Sequence, residues 1–244
     1  MSRFLEQGLS GAAGPGRRVV LGKERAHQLG RVLRLVAGDE LVLVDGAGSA
    51  WRAGLRDLSP REAVVELLEP AESAPEWRRP AVLACAVLKG DRQEWLLEKV
   101  VELGLPVLQP LLTARTLVRP VQDGAKLQRW DRLVAEATEQ CERAVRMELR
   151  EPLPLSSLQV PVGWALLLVD ESAPSGTASL EAWQAAVADA PGVVACVGPE
   201  GGWTSDERLT LLARGAVPVS LGGTIMRAET AALATVIRLG LLLA

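Results

Sequence analysis

Beyond Pro80 the chain alternates between short unbroken apolar runs and longer stretches whose apolar residues recur every three or four positions. The runs at 81–88, 107–111, 164–169, 193–197 and 217–221 predict strands. They are nearly continuous rather than alternating, which implies burial on both faces and a parallel sheet covered by helices. Helical periods fall at 92–103, 126–145, 180–188 and 228–243. A further helix opens after Thr204 or Ser205, where Asp206 and Glu207 suit the positive end of a helix. Before Pro80 the pattern changes. Residues 17–21, 40–44, 51–56 and 62–68 predict short strands, and Asp45-Gly46 marks a hairpin turn. Residues 23–35 have helical spacing, with Ala26, Leu29, Val32 and Leu33 on one side. The polar stretch 69–80, carrying Pro70, Pro75 and Pro80, predicts a linker between the two patterns.

Two of the predicted strands run into glycine-rich segments. One is Gly198-Pro199-Glu200-Gly201-Gly202-Trp203, and the other runs from Leu221-Gly222-Gly223 to Thr230. Glycine lets the main chain turn through conformations closed to other residues and lets a ligand approach N–H and C=O groups closely. Both segments stand at strand ends of a parallel sheet, where loops build ligand sites. Neither fits G-x-G-x-x-G or G-x-x-x-x-G-K-[ST], which excludes the usual dinucleotide and P-loop readings. The remaining choice is one ligand site shared by both loops, or glycines that only cap tight turns.

Composition narrows the chemistry. Apolar residues make up 48% of the 244, enough for a packed interior and against global disorder. With no Tyr and one Phe, that interior is Leu, Val and Ala, and the seven Trp carry the aromatic area. Cys85, Cys141 and Cys196 are far apart and lack metal-ligand spacing, so they read as buried thiols in a reducing compartment. The lone His27 excludes a histidine-rich metal site, and no metal is expected. No apolar signal segment opens the chain, and no run approaches the ~20 apolar residues a membrane span needs. A cytoplasmic protein without membrane contact is the expectation. A net charge of −3 excludes a surface coated in positive charge, yet a local patch suffices for RNA. Residues 1–34 carry Arg3, Arg17, Arg18, Lys23, Arg25, Arg31 and Arg34 against Glu6 and Glu24. That is either an RNA-binding face or a solvated charged surface.

An ordered set of short motifs spans nearly the whole chain. It includes Arg3-Phe4, His27 with Val32-Leu33-Arg34, and Gly38-Asp39 followed by Asp45-Gly46. Next come Lys89-Gly90-Asp91-Arg92 with Glu94-Trp95 and Lys99, Glu102-Leu103-Gly104, Arg115, and Glu139-Gln140-Cys141 with Arg143. The two glycine segments complete it, the second reading on through Arg227 and Glu229-Thr230-Ala231. In this combination the chain resembles the RsmE family, the uridine-N3 methyltransferases of 16S ribosomal RNA in the SPOUT superfamily. The resemblance implies an α/β SPOUT-type methyltransferase domain with a C-terminal trefoil knot at 76–244, preceded by a small PUA-like β-barrel at 1–72. It further implies S-adenosylmethionine as cofactor, a homodimer, and small-subunit ribosomal RNA as partner, within a partly or fully assembled 30S subunit. Two positions depart from the family pattern: Thr224 stands where arginine is common, and Met226 where leucine is usual.

On this reading Leu168, Cys196, Gly198, Pro199, Glu200, Gly201, Gly202, Leu221, Gly222, Ile225, Met226 and Arg227 surround the cofactor. Methyl transfer needs donor and acceptor held in line more than it needs covalent help. Uracil N3 must lose its proton, and Arg227 is the residue expected to stabilise the resulting anion. Glu200 either accepts that proton or anchors its loop, and Glu229 either acts in catalysis or satisfies helix N–H groups. Arg3, the third catalytic candidate, holds a phosphate, and the six other basic residues within 1–34 grip RNA together with it. His27, remote in sequence from the glycine segments, reads as a surface or packing residue. Two other functions share these features: a SPOUT relative with another acceptor (ribose 2′-OH or guanine N1), and a non-catalytic RNA-binding dimer.

Overall fold

A computed structural model describes residues 2–6, 9, 14–117 and 124–244. The chain forms two compact units, Met1–Ala74 with Thr138–Arg146 and Pro75–Ala137 with Met147–Ala244.

The first unit is built on strands β1 (Arg3–Leu5), β2 (Arg18–Leu21), β3 (Glu40–Val44), β4 (Ala50–Leu58) and β5 (Ala63–Pro70). They form one sheet in the order β1-β3-β4-β5-β2, antiparallel except for the β1–β3 pair. The Asp45 carboxylate closes the β3–β4 turn by accepting the N–H groups of Ala47 (2.7 Å) and Ser49 (2.9 Å). Bulges between Arg52 and Ala53 and between Leu55 and Asp57 bend β4, so that Leu41, Leu43, Ala53, Leu55, Val65 and Leu67 share a core with Phe4. The helix expected at 23–35 is irregular. Helix α1 (Lys23–His27) runs directly into a wider π-type turn, Gln28–Val32. The extra residue per turn rotates the later side chains about the helix axis. Ala26 and Leu29 are therefore buried, as the period requires, while Val32 is 65% exposed.

The second unit is a seven-stranded parallel sheet with β6 (Ala81–Ala86), β7 (Val107–Leu112), β8 (Glu148–Leu149), β9 (Leu153–Pro154), β10 (Ala165–Val169), β11 (Val193–Val197) and β12 (Val217–Val219). Its order is β12-β10-β11-β6-β7-β8, with β9 also on β7. Every residue of β6 and β11 is buried, which explains their unbroken apolar sequence. The helices are α2 (Asp91–Glu102), α3 (Gly124–Gln140), α4 (Leu180–Val187), α5 (Ser205–Ala213) and α6 (Ala228–Leu243). Among the described residues no helix is long and apolar enough to cross a membrane.

Two expectations need correction. Helix α3 stops at Gln140 rather than 145, because the chain reverses at Glu142, whose φ of 62° is left-handed. The division at 72/76 also fails for 138–146, which pack within the first unit. There the Glu139 carboxylate accepts the Leu5 N–H (2.7 Å) and pairs with Arg25 (2.5 Å), whose guanidinium lies 4.9 Å from the centroid of the Phe4 ring. The Glu139-Gln140-Cys141 motif is thus a tie to the N-terminal strand.

Candidate functional site

Strand register brings the site together. Val169, the last residue of β10, is paired with Val197 of β11 on one side and Val219 of β12 on the other. The loops leaving these three strands emerge side by side at their C-terminal ends, where parallel sheets form ligand crevices. Between them lies a cleft. It is lined by Val169, Asp170 and Glu171, by residues 197–203, and by Ser220, Leu221, Gly222, Thr224, Ile225 and Met226. Ala228 and Ala231 of α6 and two arginines, Arg115 and Arg208, complete it.

Both glycine loops are pinned from below. The Trp203 indole N–H donates to the Val169 carbonyl (3.2 Å), and a Cβ on Gly198 would sit 3.1 Å from that indole, so glycine lets the ring close over the strand end without a shift. Thr204 caps α5 reciprocally with Glu207: its hydroxyl accepts the Glu207 N–H, and the Glu207 carboxylate accepts the Thr204 N–H (2.9 Å). Glu207 also accepts the Ala114 N–H (2.7 Å), fixing the β7 loop beside it. In the second loop the Trp183 indole N–H donates to the Ser220 carbonyl (3.0 Å), and Arg238 donates to the Leu221 carbonyl (3.3 Å). Gly202 (φ 69°) and Gly222 (φ 143°) adopt conformations that other residues rarely reach.

The charges are arranged in pairs. Asp170, almost fully buried, pairs with Arg208 (3.1 Å) and accepts from Ser172. Glu200 Oε1 stands 3.5 Å from the Lys89 N–H and 3.4 Å from Arg92. The same Arg92 reaches Glu229 (3.7 Å), a buried carboxylate in the first turn of α6 whose Oε2 has no hydrogen-bond partner among the described residues. Burial pushes the thiols of Cys85 and Cys196 up to about 12, with the Glu200 charge adding to the effect on Cys85. Both are neutral packing groups, not nucleophiles.

Nine of the residues expected around a cofactor line the cleft: Gly198, Pro199, Glu200, Gly201, Gly202, Leu221, Gly222, Ile225 and Met226. Leu168 and Cys196 do not. They are fully buried, one residue before the strand ends, and Val169 and Val197 take the lining positions. Arg227 is exposed at the N-cap of α6, between the lining residues Met226 and Ala228, and is not itself in the wall. Sequence reading misses Asp170, Glu171 and Arg208, and names Arg115 in a motif without giving it a place in the site. The first two follow an apolar strand as directly as the glycines do, so the same strand-end rule applied to 164–169 points to them.

The basic residues sort by burial in the first unit. Arg25 is held by Glu139, Gln28 and the Leu5 carbonyl, and Arg3 by the Glu72 carbonyl (2.7 Å) and Glu142 (3.6 Å). Arg17 donates to the Leu9 carbonyl. Arg18, Lys23, Arg31 and Arg34 are exposed, as is His27.

Residues 75–240 match the model of an RNA methyltransferase domain, and residues 21–68 that of an RNA methyltransferase PUA domain. The ribosomal RNA small subunit methyltransferase E of Synechocystis sp. is 40% identical over 219 residues, covering 87% of this chain and 69% of that protein. The protein of the same name from Mycobacterium tuberculosis is 33% identical over 232 residues, 88% of this chain and 82% of its own. Two solved structures align along nearly the whole length. A ribosomal RNA small subunit methyltransferase E from Neisseria gonorrhoeae bound to S-adenosyl methionine gives a TM-score of 0.86 at 28% identity, over 100% of this chain and 98% of that one. A putative methyltransferase from Legionella pneumophila in complex with the same cofactor gives 0.83 at 28% identity, over 98% and 96%. With a PUA-like unit preceding an α/β methyltransferase unit of the SPOUT type, the chain belongs to the ribosomal RNA small subunit methyltransferase E family.

Proposed function

We propose that this chain transfers a methyl group from S-adenosylmethionine to N3 of a uridine in small-subunit (16S) ribosomal RNA. The observation that carries the reading is the cleft at the ends of β10, β11 and β12, in a chain that superposes over its whole length on a cofactor-bound family member. The wall fits that cofactor. Val169, Val197, Leu221 and Ile225 offer an apolar slot for a purine, and the glycine main chain offers N–H and C=O groups for its polar edge. The cofactor set is accordingly the nine lining residues named above with Val169 and Val197 in place of Leu168 and Cys196.

Bound there, S-adenosylmethionine supplies a methyl group already activated on a sulfonium. The remaining task is to hold the acceptor in line and stabilise its anion. Arg227, exposed at the N-cap of α6 between the lining residues Met226 and Ala228, is the donor assigned to the charge that develops on uracil O2 and O4. Glu200 anchors the first loop through the Lys89 N–H and Arg92 and places a carboxylate in the wall. Glu229 sits in the first turn of α6, where a carboxylate suits the positive helix end. The RNA grip rests on the exposed Arg18, Lys23, Arg31 and Arg34. Arg3, Arg17 and Arg25 serve first to hold that unit together, and Arg3 is not assigned to the reaction.

The working unit is a cytoplasmic homodimer acting on rRNA within a 30S particle. Helix α6 supports the dimer: Val236, Leu239 and Leu243 are buried, while Ile237 and Leu241 on another face are 49% and 71% exposed. An apolar helix with an open face suits a two-fold contact. Nucleoside mass spectrometry of 16S rRNA from cells lacking the gene tests the proposal. Loss of 3-methyluridine, restored by the gene, is expected. Retained 3-methyluridine with a different methylated nucleoside missing rejects it.

A further inference from the structure

Arg92 stands where helix electrostatics do not explain a cation. It lies in the first turn of α2, beside Asp91 and Glu94, whose charges suit the positive end of a helix as its own does not. What it meets there is two carboxylates from distant parts of the chain. Its Nη1 is 3.4 Å from Glu200 Oε1 in the first glycine loop, and its Nε is 3.7 Å from Glu229 Oε1 at the start of α6. Glu229 is 9% exposed, and its Oε2 has no hydrogen-bond partner among the described residues. A carboxylate so buried is costly unless a cation compensates it, and among the described residues Arg92 is its one ion-pair partner.

The same turn of α6 carries Arg227 as its N-cap, with no side-chain cap. Before it Gly222, Gly223, Thr224 and Ile225 are exposed; after it Ala228 and Glu229 are buried. The place of Arg227 is therefore set from its C-terminal side, by whatever holds the first turn of α6. Helix α2 packs against α6, and Arg92 is the charge that joins them there. We infer that Arg92 is a positioning residue for methyl transfer: it holds Glu229 and Glu200 together, fixes the start of α6 against the first glycine loop, and so places Arg227. The inference rests on the reaction proposed above and on the part given there to Arg227. Two separate nitrogens of one planar group make the tie, a geometry the point charge of lysine does not reproduce. Without it, Glu200 and Glu229 are left as neighbouring like charges, one of them buried. The first loop depends on Arg92 less, since Trp203, Glu207 and the Lys89 N–H also hold it.

Single-turnover methylation of 30S subunits that lack the modification tests this, with labelled S-adenosylmethionine and the product nucleoside identified. Arg92→Ala should lose roughly one to two orders of magnitude in rate, as displacement of a positioned group by about an ångström does. Its affinity for S-adenosylhomocysteine and its half-saturating subunit concentration should stay unchanged. In the Arg227→Ala background the same substitution should cause no further loss, because the group it positions is gone. Glu229→Gln should restore most of the rate to Arg92→Ala, since a neutral amide needs no cation in the buried site; the recovery also separates the role from a failure to fold. An undiminished Arg92→Ala rate overturns the inference, as does an equal loss in the Arg227→Ala background or no recovery with Glu229→Gln. A raised half-saturating subunit concentration overturns it too, and makes Arg92 a direct RNA contact. An unmodified chain that puts no label in 3-methyluridine overturns the reaction itself, and this role falls with it.

Discussion

At the scale of single residues, the cleft separates groups that act from groups that pack. Arg227 has an exposed side chain at a helix cap, so its replacement leaves the core untouched. Arg227→Ala should lower single-turnover methylation by about two to three orders of magnitude, the usual loss for a donor aimed at a developing anion. Its melting temperature and S-adenosylhomocysteine affinity should be unaltered; full activity would remove Arg227 from the chemistry. Cys85 and Cys196 make the opposite case. They keep their protons in the fold up to about pH 12, whereas an unfolded thiol ionises near 9.0. Between those values the unfolded chain binds fewer protons, so stability falls as pH rises, by at most roughly 1 kcal/mol per pH unit for each thiol. Urea melts from pH 8 to 10.5 should show that decline, and Cys85→Ala with Cys196→Ala should flatten it. A slope unchanged by the substitutions would contradict their protonated burial. That Leu168 and Cys196 lie one residue short of the cleft has a plain cause. In a strand apolar at every position there is no alternation to show which residue is the last inside and which the first in the cleft. Arg208 escapes the sequence, and Arg115 is named there only as part of a family motif, for another reason: they reach the site from α5 and from the loop after β7, and no local pattern places them in it.

At the scale of elements, long periodic segments are legible and short ones are not. Strand β11 and helix α6 begin and end where the pattern of apolar residues predicts, because burial alone determines both. Strands β1, β8 and β9 have two or three residues each, too few to carry a period. The spacing of α3 overshoots its end, since it runs on past a turn made by Glu142 rather than by glycine. The start of α5 is readable through its chemistry, Thr204 followed three residues later by Glu207. Thr204→Ala should cost about 1 kcal/mol of stability. Because α5 follows the first glycine loop directly, the variant should also weaken S-adenosylhomocysteine binding. An unchanged denaturation midpoint would mean that the cap does not hold this helix end.

At the scale of the whole molecule, two properties lie beyond any local pattern. The return of 138–146 to the first unit depends on Glu139 meeting Arg25, a residue distant along the chain, and no periodicity encodes such a pairing. The trefoil path that the family resemblance implies is likewise a property of threading and leaves no mark in composition or spacing. The proposed self-association draws instead on the exposed Ile237 and Leu241. Ile237→Asp with Leu241→Asp should sediment as a monomer at micromolar concentration where the unmodified chain sediments as a dimer, with the helical circular dichroism preserved. A monomeric unmodified chain with full activity would rule out the dimer as the working unit.

The central claim is methylation of uracil N3 in small-subunit rRNA by this chain with S-adenosylmethionine. Its most direct test is reconstitution: purified protein, S-adenosylmethionine carrying a labelled methyl group, and 30S subunits from cells lacking the gene, with the labelled nucleoside identified after digestion. The account predicts label in 3-methyluridine of 16S rRNA, and almost none with the Arg227→Ala protein. Label in a ribose-methylated nucleoside or in 1-methylguanosine, or no transfer at all to subunits that lack the modification, would contradict it.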